Sequence, residues 1–430
     1  MIELSNIRLE KSYGKNRLVC DLKSNFSAEK TMWFSAPLEY GDIFTAEVYD
    51  AFLCAILYPA MYFREDIVIH GKMSKKFFKN VVTYVKKVLL AYSDDLSDIA
   101  VTADGYGKVT KTGSLVGTGF SAGVDSFATF VTHYANEDDA DYKINALFFF
   151  NVGSHGRFSN PHTLERFHNR YDACRAFPDS LHIPFIPVDS NVHAFHEIWG
   201  HQRTVSITLA AGILAVQKVL SKYFVSSTNA YSELPNQIQK AKNFDLAEFA
   251  DPYLLPLLSP DGLDIIPDGE QYLRTEKTRL IADFPPARRF LNVCVKSDDG
   301  YTTAKNCSAC SKCLRTLFAL DSMNRLGDFS DVFDLAVYRK KAFAYKCRQR
   351  VLYKKDPFAK DNVDFAKKSG MRVPPLAIAF LVTLPATTLR AAKRLLAKSA
   401  RLVLGKNGYD ALKTKVKSYS VKKTGRSTDE

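Results

Sequence analysis

The chain is predicted to be an α/β protein built around a parallel sheet with helices on both faces, extended by an α+β segment before it and a basic helical segment after it. Three observations lead there. Between about residues 113 and 230, short apolar runs alternate with stretches of helical spacing, the pattern of β-α units closing a parallel sheet. At 430 residues the chain is too long for one ordinary core, and its 46% hydrophobic and 24% charged content is that of a globular protein. Its charge is segregated. Residues 331–430 hold 24 Lys and Arg against 8 Asp and Glu, a net +16, so the rest of the chain carries −3 of the total +13.

Residues 1–112 mix strand-like and helix-like pieces. "TAEVYDAFLCAILYPAMYF" (Thr45 to Phe63) has helical apolar spacing, and "SKKFFKNVVTYVKKVLLAY" (Ser74 to Tyr92) repeats apolar positions three and four apart with lysines opposite. No catalytic signature occurs here, and the expectation is an accessory domain. In 113–330, "SLVGTGF", "INALFFFNVG", "IPFIPVDSN" and "YFVSSTNA" read as strands. "VDSFATFVTHYANE", "NPHTLERFHNRYDACRAF" (Asn160 capping before Pro161) and "TVSITLAAGILAVQKVLS" read as helices. Ligands of such sheets sit at the carboxyl ends of the strands. Gly119 to Ser126, Asn151 to His155 and Ser226 to Tyr231 all follow strand ends, and one crevice can collect them.

Beyond 330 the pattern is helical and basic, with a frayed end. "RAAKRLLAKSARLVLGK" (Arg390 to Lys406) suits nucleic acid, an acidic protein or an anionic membrane surface, and equally a solvated helix on its own domain. Met1 to Arg8 does not read as a signal peptide, and the longest apolar run, Val373 to Leu389, is broken by prolines. The expected location is cytoplasmic, with peripheral membrane contact through the tail left open.

The chemistry concentrates in "LVGTGFSAGVDSFATFVTHYA" (Leu115 to Ala135). Small and hydroxylated residues between a strand and a helix let backbone N–H groups, the helix dipole and the Ser121 and Ser126 hydroxyls converge on one anion, a phosphate or pyrophosphate. Neither a Walker loop nor a G-x-G-x-x-G fingerprint is present. "SAGVDS" resembles the S-G-G-x-D-S signature of the PP-loop ATP pyrophosphatases. That resemblance implies a five-stranded parallel sheet of the HUP type, ATP with Mg²⁺, and cleavage between the α- and β-phosphates. By it, Ser121, Ala122, Gly123, Val124, Asp125 and Ser126 form the ATP loop, with Asp125 organising the loop or its magnesium. Ala122 replaces the family's glycine, and since alanine disfavours positive φ, the resemblance requires ordinary backbone angles there.

A second cluster is C-x12-C-x2-C-x2-C, formed by Cys294, Cys307, Cys310 and Cys313. Four thiolates so spaced can close a tetrahedron around Zn²⁺, as a structural site. A PP-loop followed by such a knuckle is similar to the 7-cyano-7-deazaguanine synthases, nitrile-forming ligases of the queuosine pathway. The resemblance covers about 113 to 325. It carries Arg203, in "HQRTVSITLAAG", and Lys277, in "RTEKTRLIADF", over as catalytic or phosphate-reaching cations beside Asp125. It implies a substrate oxygen adenylated for attack by a nitrogen nucleophile, a small-molecule partner, and leaves a homodimer open. "SSTNAYSELPNQ" (226–237) departs from the family's substrate segment, so substrate and nucleophile stay open. So do two other readings: sulfur insertion into tRNA, with the basic tail as RNA grip, and a nucleotide binder without turnover. His155, Glu233 and Asp251 fall near the crevice. His193, His196 and His201 lack a clean metal-ligand spacing, and no metal is assigned to them.

Overall fold

The computed structural model describes residues 1–233, 250–294 and 306–384. The basic segment 390–406, the frayed end and most of the loop between Cys294 and Cys307 lie outside the described residues.

Ten strands form one continuous sheet. They are β1 (Ile2–Ser12), β2 (Lys15–Lys23), β3 (Thr31–Pro37), β4 (Ile67–Ser74), β5 (Val101–Gly107), β6 (Leu115–Gly119), β7 (Ala146–Asn151), β8 (Phe185–Ser190), β9 (Leu220–Ser226) and β10 (Asp264–Asp268). Their order is β10-β9-β6-β7-β8-β3-β2-β1-β4-β5. The expected five-stranded sheet is thus half of a larger one. The β10-β9-β6-β7-β8 half is parallel throughout. Its chain path leaves β6 toward β7 and β8, then returns to the other side of β6 through β9. That reversal opens a crevice at the carboxyl end of β6.

The other half comes from residues 1–112, and the two join where β3 runs antiparallel to β8, pairing Phe34 with Ser190 and Ser35 with Asp189. The Asn191 side chain spans the joint: its carboxamide accepts from the Trp33 N–H at 2.8 Å and donates to the Thr31 carbonyl at 2.8 Å. So the N-terminal segment is α+β as expected, while its strands extend the sheet of the middle segment.

Helices cover both faces. On one, α1 (Asp50–Phe63) packs against α2 (His201–Ala215), and a single apolar cluster runs from Ile2 through Phe52 to Ile213 and Ile265. Both helices are apolar nearly all round, as helices with no solvent face are. On the other, α3 (Val124–Phe130), α4 (Thr163–Ser180), α5 (Arg274–Ala282) and α6 (Ser311–Ser322) enclose a core rich in phenylalanine, including Phe120, Phe127, Phe130 and Phe177. The helix after Asn160 begins at Thr163, because residues 160–163 first make a turn in which the Asn160 side chain accepts from the His162 N–H at 3.0 Å. Beyond 330, α7 (Leu335–Leu352) and α8 (Pro357–Lys368) are helical as expected, each capped by an aspartate, Asp334 and Asp356. Among the described residues no helix is long and apolar enough to cross a membrane.

Candidate nucleotide site and cysteine centre

The stretch Phe120–Gly123 leaves β6, turns, and enters α3 at Gly123. Ala122 adopts φ +56°, the left-handed region, against the expectation of ordinary angles. The turn is held in this form by its surroundings. The Ala122 carbonyl accepts from the Asn292 N–H at 2.7 Å, the Ser121 carbonyl accepts from the Arg170 guanidinium at 2.9 Å, and the Ala122 methyl is buried in the phenylalanine core. The first-turn N–H groups of α3 have no acceptor within the helix. Ser126 Oγ donates to the Gly123 carbonyl at 3.2 Å and lies 3.3 Å from the Ser121 nitrogen, whose N–H it accepts.

The loop borders a cavity of about 460 Å³, lined by the loop residues Gly119 to Ser121, Gly123, Asp125 and Ser126 and by the strand ends at Phe150 and Ser226. Ala122 and Val124 do not line it; their side chains are buried. Three cations do: Arg170 from α4, Arg274 from the start of α5, and Lys312 from the start of α6. An open cavity of this size with backbone donors and three cations on one wall suits a polyanion.

Asp125 sits at the centre of this charge. Its carboxylate is paired with the Arg274 guanidinium, and Lys277 Nζ lies 3.6 Å from its second oxygen. Burial works to raise the Asp125 pKa, yet Arg274 and Lys277 outweigh it and hold the group below the usual carboxylate range. Lys277 is fully buried and also donates to the Ser227 carbonyl at 2.6 Å. The helix carrying both cations is anchored from the C-terminal segment, where Asp361 accepts from the Thr275 N–H at 3.0 Å and from its hydroxyl at 2.6 Å.

Of the residues singled out in the sequence, the structure brings Ser121, Gly123, Asp125, Ser126 and Lys277 together. Arg203 stands elsewhere. Its guanidinium donates to the Tyr58 hydroxyl and to Asp95, both at 2.7 Å, and to Ser93, fastening α2 to the N-terminal segment. On α2 the cavity is lined by His201, Val205 and Leu209, four residues apart, so Arg203 points to the opposite side of the helix. A phosphate-reaching role for Arg203 is therefore corrected to a structural one. His155, which its sequence places near the crevice, lines the cavity against Phe149 and Phe167. Asp251 is buried away from the cavity, accepting from the Ser206 hydroxyl at 2.5 Å, and Glu233 accepts from the Ala230 N–H. Arg170, Arg274 and Lys312 were missed. Arg274, one turn before Lys277, and Lys312, between Cys310 and Cys313, fall in stretches already marked.

The four cysteines converge. Their sulfurs all lie within 4.8 Å of one another, and among the described residues they are the one group of His, Cys, Asp and Glu side chains that meets this condition. Cys307 and Cys313 are 3.8 Å apart, Cys310 and Cys313 3.4 Å. A tetrahedron of Zn–S bonds of about 2.3 Å has edges of about 3.8 Å, so the donor set fits a metal ion such as zinc. Hydrogen bonds with Cys294 and Cys310 are the main cause that pushes the Cys313 ionisation upward. The centre adjoins the cavity: Cys294 lines it, and Lys312 sits between two of the ligand positions.

Comparison with family models, with curated proteins and with solved structures returns no match.

Proposed function

We propose that the chain is an ATP-dependent ligase-like enzyme of the PP-loop type, adenylating a substrate oxygen with release of pyrophosphate for attack by a nitrogen nucleophile. The observation that carries the reading is the convergence of Arg170, Arg274 and Lys312 on the loop Ser121–Ser126, at the point where the parallel strands reverse order. In this reading the loop N–H groups and Ser121 and Ser126 hold the phosphates. Arg274 and Lys312 offset the charge that develops as the α–β bond breaks, and positioning supplies most of the acceleration. Asp125 acts through its partner, fixing Arg274 at the phosphates, while Lys277 is buried behind the pair. Mg²⁺ accompanies ATP as its bridging cation. The four cysteines hold structural Zn²⁺, which fixes the start of α6 and hence Lys312.

The test is ATP turnover in the presence of a small-molecule cell extract, with AMP plus pyrophosphate resolved from ADP plus phosphate. Wild type yields AMP and pyrophosphate, and Asp125→Ala lowers that rate by about a hundredfold or more. ADP as the product, or a rate untouched by the substitution, refutes the reading. ATP binding without any turnover would identify a binder instead.

A further inference from the structure

A second cavity of about 190 Å³ lies beside the first and shares Val152 and His201 with it. Its walls include His193, His196, Trp199 and His201. The close approach depends on Gly153, at φ +116°, where a Cβ would stand 2.9 Å from His201 Nδ1 and 3.3 Å from His193 Cβ.

Its polar atoms are unmatched. His193 is only 4% exposed, and neither of its ring nitrogens has a hydrogen-bond partner among the described residues. His196 Nε2 is 2.8 Å from the Ala55 carbonyl and must donate to it, which makes Nδ1 the acceptor, and Nδ1 has no partner. Unpartnered buried groups of this kind are costly unless a ligand meets them. Burial is the main cause that holds His193, His196 and His201 down at about 4 and His155 at about 3, so these rings are uncharged at neutral pH. The charged residues lining the cavity, Arg157 and Glu197, are of opposite sign, and Glu197 is already engaged by the Ser159 N–H at 2.5 Å.

A neutral His193 offers one donor and one acceptor, and His196 adds a second acceptor. The complement is a group with two N–H donors and one carbonyl oxygen. We propose that this cavity is the anchoring subsite for the acceptor substrate and takes an uncharged primary-amide group. At these two histidines a carboxylate would meet two acceptors, and an amidinium would leave the His193 N–H without an acceptor. The cavity is smaller than the ~300–1,000 Å³ of pockets that enclose whole drug-sized ligands, so it takes one end of a molecule whose reacting end lies in the larger cavity. Its role as acceptor subsite rests on the nucleotide reading above.

Trp199 reports on the cavity, and the chain has only one other tryptophan, Trp33. The full chain carrying Trp33→Phe is titrated with isobutyramide, isobutyrate and isobutyramidinium, which share a shape, while Trp199 emission is followed. Binding of α,β-methylene-ATP is measured on the same protein by calorimetry. Isobutyramide is expected to shift the emission saturably in the millimolar range, with the two ions roughly tenfold weaker or more. His193→Phe, and separately Thr204→Leu, which narrows the cavity without touching His193, should each weaken the amide by roughly tenfold. No saturable response to the amide, or isobutyrate binding as well as it, overturns the proposal even if the ATP analogue binds. Amide binding without nucleotide binding refutes the ligase reading and the acceptor role with it.

Discussion

Asp125 and Asp251 are two carboxyls withdrawn from bulk water whose surroundings drive them in opposite directions. Asp125 has two cations and stays ionised. Asp251 has the Ser206 hydroxyl, and burial pushes it up to about 8. An unfolded aspartate releases its proton near ~3.9, so the folded chain holds a proton at Asp251 that the unfolded chain gives up. That contribution to stability is complete below about pH 4 and is lost as pH rises toward 8. Asp251→Asn keeps an acceptor for Ser206 and cannot titrate. It is expected to melt above wild type at pH 8 and to converge with it near about pH 4, by thermal denaturation across that range. A gap independent of pH would contradict this assignment. At this scale the sequence was readable only where neighbours in the chain are neighbours in space. Ser121, Gly123, Asp125 and Ser126 share one turn. Arg170 reaches the same cavity from a distant helix and carries no local mark, Lys312 was marked only as part of the cysteine spacing, and Arg203 misled because adjacency along α2 hides which side of the helix a residue takes.

The loop and the cysteine centre behave as elements. Holding a residue with a Cβ in the left-handed region costs about 1–2 kcal/mol, and burial of the Ala122 methyl offsets about 0.8 kcal/mol of it. Ala122→Gly should therefore sit within about 1 kcal/mol of wild type and keep its ATP affinity. Ala122→Val, β-branched at positive φ and crowded by the phenylalanines, should lose about 2 kcal/mol or more and weaken ATP binding, as denaturant titration and calorimetry would register. For the knuckle, elemental analysis should find one zinc per chain in wild type and none in Cys310→Ser. The variant should lose about 4 kcal/mol or more, as sites that lose a metal do. Because Lys312 starts the same helix, its nucleotide affinity should fall as well; retained affinity would separate the centre from the site. Both elements were legible early, since a turn signature and a cysteine spacing are local. The left-handed angle at Ala122 was not, because Arg170 and Asn292 impose it from elsewhere in the chain.

Over the whole molecule, β6 to β9 of the parallel half were legible because each β-α unit repeats a local pattern, whereas β10, five residues after a long connection, was not read as a strand. The joint of β3 to β8 was not, since two paired residues and one asparagine leave no periodic trace. Its consequence is that residues 1–112 are not a removable appendage. Deleting them uncovers the edge of β8 and the apolar flank of α2 that α1 covers. The remainder is expected to aggregate or to elute as a soluble oligomer in size-exclusion chromatography, and a monodisperse, ATP-binding remainder would refute the dependence.

The Trp33–Asn191 bond across that joint links residues 158 positions apart. A ribosome adding 5–20 residues per second takes about 10–30 s to pass from one to the other. For that interval the nascent chain displays β3 as an open edge, with Phe34 awaiting the strand that will cover it. This is the period in which a chaperone has most to protect. The same sheet that makes the finished molecule a single body leaves its first third waiting on its middle during synthesis.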